Sequence, residues 1–448
     1  MKISLWVKVC LLIIPLFFSP FCKKQTNKKP NVLIISIDTL RADYLGCYGH
    51  SEVKTPVMDA LAAEGIKFMK HVAPSQCTNP SHVSIFTGLY PSVHQVLNNE
   101  TLLADEAITM AEVLQKHGYF TLGAVSVGHL NPKNCNLGQG FDKFLPCNTT
   151  ELIAGERNQL VFKELKKRPP KPFFCWIHYF DPHGVYSPPA PFNTMYPVKN
   201  QFNEVAPRKS MNLTDEQKSK AVDPDVIVPL YKGEISYLDS QLGELFKWLK
   251  KEKLYNNTII ILVADHGESM VEKEIYFCHA GMYNPVIHIP MIIRLPRSRH
   301  RRARVTAVTG SSDIFPTILE FLKIPAPQTP VDGVSLLTTF TQPDKSLHPF
   351  VISEAVNGVI RTIYQGEYKY IKPFPKDWAC KEPHLFKAWS DYQEQHELIQ
   401  KEPGKARHLD FQMMKWLKSS QKRSLSSRKN IHMNKKDKEA LKTLGYID

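Results

Sequence analysis

Three apolar runs constrain this chain more than any other feature. Asn31-Val32-Leu33-Ile34-Ile35-Ser36-Ile37, Lys171-Pro172-Phe173-Phe174-Cys175-Trp176-Ile177 and Thr258-Ile259-Ile260-Ile261-Leu262-Val263 are continuous, short, and rich in β-branched or aromatic residues. Strands buried on both faces read this way, and they belong to parallel sheets covered by helices. Each run stops at polar chemistry: Asp38, then His178-Tyr179-Phe180-Asp181-Pro182-His183, then Asp265-His266-Gly267-Glu268. Residues 55–65, 107–117 and 229–251 have helical spacing, and 120–127 reads as another strand. Strands alternating with helices predict a doubly wound α/β sheet, and such sheets place ligands beyond the carboxyl ends of their strands.

The chain has 448 residues, more than one core usually fills, so a second, smaller unit is expected. Residues 349–371 read as short strands separated by turns, the pattern of a small C-terminal antiparallel sheet. Residues 186–226 are polar and proline-punctuated, a surface insertion. The net charge of +14 is concentrated late: residues 401–448 hold 13 Lys or Arg against 5 Asp or Glu. A basic tail of this kind suits an anionic membrane surface, and nucleic acid is not the expected partner. At the other end, Lys2 and Lys8 precede an apolar run over 9–21 that closes at Cys22-Lys23-Lys24. This pattern predicts an export signal, with Cys22 where a bacterial lipoprotein is acylated and 23–30 as a tether. The protein is therefore expected in the cell envelope, the periplasm or on the surface. The remaining cysteines, odd in number and irregular in spacing, form neither a disulfide framework nor a zinc ribbon.

A second kind of signal lies in Cys77-Thr78-Asn79-Pro80-Ser81-His82-Val83-Ser84-Ile85-Phe86-Thr87-Gly88. Asn79 suits an N-cap, Pro80 the first helical position, and Gly88 a left-handed ending. Thr78 then sits at the positive end of a helix, beside unpaired N–H groups that suit an anion. Its hydroxyl is a candidate nucleophile toward a phosphate or sulfate ester. An ordinary capped helix explains this stretch equally well when it is taken alone. Asp38, Asp265 and His266 at two strand ends, joined to Thr78, make a divalent-metal site with oxygen and nitrogen ligands.

Several segments then fall into a known order. Residues 31–49 (NVLIISIDTLRADYLGCYG), 78–91 (TNPSHVSIFTGLYP), Asp181-Pro182-His183, Tyr237-Leu238-Asp239, 258–290, 313–317 and Asp332-Gly333-Val334-Ser335-Leu336 resemble the sulfatase family of the alkaline phosphatase superfamily. Leu444-Gly445-Tyr446 resembles an ending common in bacterial members. The resemblance implies an α/β alkaline-phosphatase-like sandwich: a large, mainly parallel sheet flanked by helices, plus a small C-terminal antiparallel sheet with a helix. It places the catalytic domain at 31–345, the C-terminal subdomain at 346–414 and the basic tail at 415–448. It also implies metal binding by Asp38, Asp265 and His266, with Thr78 at the nucleophile position. His82 stands where sulfatases have an arginine, His183 matches a contact to the transferred group, and His279 falls where a lysine or histidine meets substrate.

Departures from the family pattern redirect the chemistry. Formylglycine is made from Cys or Ser two residues before the motif's proline, and here that residue is Thr78; Cys77 is out of register. Thr39 replaces the second aspartate of the usual pair, and Gly123-Ala124-Val125-Ser126 lacks the sulfate-contacting Gly-Lys-x-His pattern. These features imply one divalent ion, Zn²⁺ or Mn²⁺ ahead of Ca²⁺, with Thr78 attacking a phospho-ester in preference to a sulfate ester. His183 and His279 with Asp181 are an alternative second metal site. The substrate is expected to be an ester of a small molecule, glycan or lipid headgroup. Two other readings stay open: a sulfatase working without formylglycine, and a surface protein that binds anions without catalysis.

Overall fold

The computed structural model describes residues 29–426, apart from 150, 185, 198–223, 299 and 375–378, together with 428–429. The apolar leader with Cys22, most of the insertion, and the end of the basic tail with Leu444-Gly445-Tyr446 lie outside these residues. In chain order the strands are β1 (Asn31–Ile37), β2 (Ile66–Val72), β3 (Thr101–Leu102), β4 (Phe120–Ala124), β5 (Lys143–Leu145), β6 (Phe173–Tyr179), β7 (Thr258–Ala264), β8 (Met291–Arg294), β9 (Ala303–Gly310), β10 (Val351–Glu354), β11 (Ile360–Gln365), β12 (Tyr368–Pro373), β13 (His384–Lys387) and β14 (Arg428–Lys429).

Eight of them form the main sheet in the order β5-β4-β6-β1-β7-β8-β2-β9. Only β8 runs antiparallel to its neighbours. The three apolar runs are its centre: β1 lies between β6 and β7, and every residue of all three is buried. Sequence reading missed β2 and β9, which pair in parallel at the far edge. Buried residues are interspersed with part-buried ones in β2 and with part-buried and exposed ones in β9, so neither shows a continuous apolar run. The other covering helices include Pro56–Glu64, Met110–Lys116, Ala154–Lys166 and Pro224–Lys251. Met110–Lys116 begins with a capping box between Thr109 and Glu112.

The smaller sheet is antiparallel, β10-β11-β12-β13. Helix Pro403–Gln421 packs on it, with Leu409 and Met413 against Ile352, Ile363, Tyr370 and Leu385. The helix runs past Lys415, because Leu409, Met413 and Leu417 continue a buried stripe at four-residue spacing. Composition alone set a boundary inside it.

A buried polar knot joins the two sheets. Lys369 and Glu394 pair at 2.6 Å with both side chains inaccessible, and the Asn284 N–H donates to Glu394 Oε2 at 2.8 Å. Burial lowers the Lys369 pKa to about 8 and raises that of Glu394, and each charge partly restores the other. Glu394→Ala leaves the ammonium buried alone, and is expected to cost about 3–5 kcal/mol in urea unfolding.

His71 and His94 are buried as neutral rings, the first against Thr309 and Ser311, the second against Ser84 and the Val96 N–H. Burial lowers both pKa values from 6.5 to about 3. Below pH 6.5 the unfolded chain takes up protons that the folded chain refuses, so stability falls as pH drops from there toward 3. At pH 5 each ring accounts for a loss of about 2 kcal/mol. His71→Gln is expected to shrink the stability difference between pH 7 and pH 5 by that amount, measured by urea unfolding at both.

Candidate active site

The strand ladder carries the acidic residues to one edge. Ile37 of β1 lies opposite Tyr179 of β6 and Ala264 of β7. The pairing continues one step further: the Asp38 N–H donates to Tyr179 O at 3.0 Å, and the Asp265 N–H donates to Ile37 O at 3.2 Å. Both carboxylates therefore leave adjacent strands at the same level, fully buried.

Asp265 is aimed by its neighbours. Its Oδ1 accepts the His266 N–H at 2.7 Å and the Thr39 N–H at 3.3 Å, and its Oδ2 has no hydrogen-bond partner among the described residues. Thr39 reaches this position at φ +51°, a left-handed conformation that costs a β-branched residue about 1–3 kcal/mol. The Tyr231 hydroxyl holds it there by donating to Thr39 O at 2.8 Å.

His266 donates from Nδ1 to its neighbour's carbonyl, Gly267 O, at 3.0 Å, which leaves a lone pair on Nε2. Among the described residues that atom has no hydrogen-bond partner, and it lies 3.7 Å from both Asp38 Oδ1 and Asp265 Oδ2. The ligand atoms of Asp38, Asp265 and His266 all lie within 4.8 Å of one another. Burial lowers the His266 pKa to about 4, so the ring stays neutral, and raises that of Asp265. Buried carboxylate oxygens facing a neutral imidazole lone pair fit a divalent cation.

Helix Thr78–Thr87 sets its first turn against the end of β7, starting two residues earlier than expected. Its N-cap is Cys77 and not Asn79, so Pro80 falls inside the first turn, where its missing N–H is still harmless. Asn99 completes the cap: its Oδ1 accepts the Asn79 N–H at 2.8 Å and the Cys77 thiol at 3.1 Å. Burial pushes that thiol's pKa up, so Cys77 is held as a protonated capping residue. Gly88 ends the helix at φ +71°. The Ser81 hydroxyl donates to Asp265 O at 2.8 Å, tying the helix start to the end of β7.

His82 lies within ligand range of His178 and Asp265, but both of its ring nitrogens are bonded to the protein. Its Nδ1 donates to Thr78 O at 2.8 Å, and its Nε2 accepts from Ser36 Oγ at 2.8 Å, while that oxygen accepts from Trp176 Nε1 at 2.9 Å. With both nitrogens occupied and burial lowering its pKa to about 4, His82 is a neutral brace for the Thr78 peptide.

The other histidines surround the carboxylates. His183 Nε2 lies 4.0 Å from Asp38 Oδ1, and its Nδ1 donates to Gly184 O at 2.9 Å. His279 Nδ1 lies 3.9 Å from Glu268 Oε1, and its ring stands 4.8 Å from that of His266 and 5.9 Å from that of His183. Asp181 does not join them, because its Oδ2 accepts the Ala154 N–H at 2.9 Å at the start of a helix. Among the described residues, Asp181, His183 and His279 form no ligand cluster.

Sequence reading missed two members. His178, the penultimate residue of β6, places Nε2 at 3.5 Å from Asp38 Oδ2, and Ser126 N–H approaches its Nδ1 at 3.4 Å. Glu268 is buried, with Oε2 accepting the Tyr186 hydroxyl at 2.6 Å. The available signal was the length of the polar runs ending β6 and β7, which extend beyond the residues singled out.

Residues 30–324 match the family model described as Sulfatase. The ulvan-active sulfatase of Formosa agariphila is 25% identical over 350 residues, 70% of this chain and 66% of that protein, slightly less than two thirds of its length. The multifunctional alkaline phosphatase superfamily protein PehA of Trinickia caryophylli is 26% identical over 397 residues, covering 69% of this chain and 76% of that one. The structure of the phosphonate monoester hydrolase of Agrobacterium radiobacter shares the fold, with a TM-score of 0.70 at 20% identity over 91% of this chain and 99% of that one. With the family's pattern running from ahead of β1 to the end of helix Ile314–Leu322, this chain belongs to the Sulfatase family, among the hydrolytic enzymes of the alkaline phosphatase superfamily.

Proposed function

We propose that this protein cleaves phospho-esters with Thr78 as nucleophile, by hydrolysis or by transfer to an acceptor alcohol. The observation that carries this reading is the register of helix Thr78–Thr87. Thr78 opens the helix beside the carboxylate cluster, while the neighbouring thiol of Cys77 is spent on the Asn99 cap. A threonine cannot become formylglycine, so the attacking group is a plain hydroxyl.

A Zn²⁺ or Mn²⁺ ion held by Asp38, Asp265 and His266 supplies Lewis-acid chemistry, lowering the pKa of a nearby hydroxyl and polarising the ester. The protein's own residues do the rest. The positive end of the helix dipole favours the negative non-bridging oxygens of the ester. His82 holds the Thr78 peptide, and Asp265 is held in turn by Thr39 and His266. Thr78 Oγ forms a bond to phosphorus as the bond to the leaving oxygen breaks. His279, its side chain 11% exposed and backed by Glu268, or the buried His183 donates a proton to that oxygen. Water or an alcohol then attacks phosphorus, the bond to Thr78 Oγ breaks, and the attacking group's proton restores the hydroxyl as the phosphorylated product leaves. Sulfate-ester cleavage by the same residues is the second reading, favoured by the several sulfatases among the relatives.

Thr78→Ala is expected to lower turnover of an aryl phosphodiester by at least about 10³-fold, and mass spectrometry of quenched wild-type enzyme should find phosphate on Thr78. Turnover of sulfate esters alone would sink the phospho-ester reading. Chelation is expected to abolish activity, and Zn²⁺ or Mn²⁺ to restore it in wild type but not in His266→Ala, with bound metal counted by elemental analysis.

A further inference from the structure

The other end of the sheet carries chemistry that ester cleavage does not use. The amino-terminal ends of β1, β6 and β7 open onto a cleft of about 640 Å³. Lys29, Arg168, Lys171, Lys253 and Arg297 line it, and none of its lining residues is acidic. Parallel pairing explains the place. Asn31, Pro172 and Asn257 also line the cleft, each at or just before the first residue of one of these three strands. Asp38 and Asp265 leave the opposite ends, so a seven-residue strand, about 23 Å at 3.3 Å per residue, separates cleft from catalytic centre.

The five cations come from four separate segments: ahead of β1, ahead of β6, after helix Pro224–Lys251, and after β8. Little neutralises them. Asp142 approaches Lys171 only to 4.0 Å, and Lys29 and Arg168 donate to the carbonyls of His117 and Leu165, which carry no net charge. The cleft is an electropositive concavity unrelated to the basic tail.

Lys29 also limits how far this face can stand from the leader. Six residues lie between Lys29 and the Cys22 position, and a chain of so few steps spans at most about 25 Å. If the apolar run at 9–21 or a lipid on Cys22 is held in a bilayer, the cleft is tethered within that distance of the headgroups. Attraction to an anionic leaflet acts over about 8–10 Å at physiological salt, well inside the reach of the tether.

We propose that this cleft docks on an anionic phospholipid surface, its cations meeting headgroup phosphates while the catalytic mouth faces away from that membrane. The tether selects the occupant, since a free phosphate ion has no use for proximity to an anchor.

Vesicle partitioning of the full chain tests this. Binding to mixed phosphatidylglycerol–phosphatidylcholine vesicles should exceed binding to phosphatidylcholine alone, the apolar leader adding to both alike. A variant carrying Arg168→Gln, Lys171→Gln, Lys253→Gln and Arg297→Gln should lose that excess by about 10²-fold or more, at roughly fivefold per surface charge, with an unchanged unfolding midpoint. Deleting residues 430–448 should leave most of the excess in place. Survival of the excess in the fourfold variant, or its loss on tail deletion alone, overturns the proposal. So does calorimetric binding of inorganic phosphate that the variant lacks, when no vesicle excess is seen, since the cleft is then a small-anion site.

Discussion

Everything catalytic in this molecule hangs on the parallel pairing of β6, β1 and β7. The ladder continues for one hydrogen bond beyond the last apolar residue of each pair, so the peptide groups of Asp38 and Asp265 are held as rigidly as the core behind them. Two carboxylates pressed together in a buried site repel one another and lose hydration. The arrangement persists because the strands leave the acids no room to separate, and burial holds back the ionisation of Asp265. A cation between them relieves both costs at once, and metal binding and sheet register are therefore one problem here.

Support for the Thr78 segment comes from an unusual set of neighbours. Where family members carry an arginine, His82 links the Thr78 carbonyl to Ser36 and, through Ser36, to Trp176 inside the sheet. Ser126, in the segment that lacks the sulfate-contacting pattern, directs its N–H to His178, which in turn faces Asp38. Cationic contacts to a sulfate group are thus replaced by neutral rings bonded to the protein itself. That substitution agrees with a site whose positive charge is supplied by a metal ion and a helix terminus.

The strained backbone at Thr39 belongs to the same design. A second aspartate at this position would bring another carboxylate toward the ion. Threonine instead contributes its N–H to Asp265 Oδ1, and the Tyr231 hydroxyl from the long helix Pro224–Lys251 keeps it turned that way. Strain at a single residue is exchanged for a fixed carboxylate orientation.

The central strands, the helices packed against them and the acids at their ends were legible in the chain, because a fully buried strand must be apolar throughout and must stop where polar chemistry begins. The edge strands β2 and β9 were not, since half-exposed strands have no such run. Neither were the neighbour relations: that Asn99 caps the Thr78 helix, that Asp181 caps a helix, that His82 braces a peptide, or that His178 faces Asp38 and Glu268 faces His279. Sequence by itself determined the strand ends that bring Asp38, Asp265 and His266 forward and, through Thr78, that an aldehyde cannot be made at that position. Tertiary structure alone decided which of the histidines still has a lone pair to offer, because a ring's role depends on where its second nitrogen finds a partner, and those partners come from strands and loops distant in the chain.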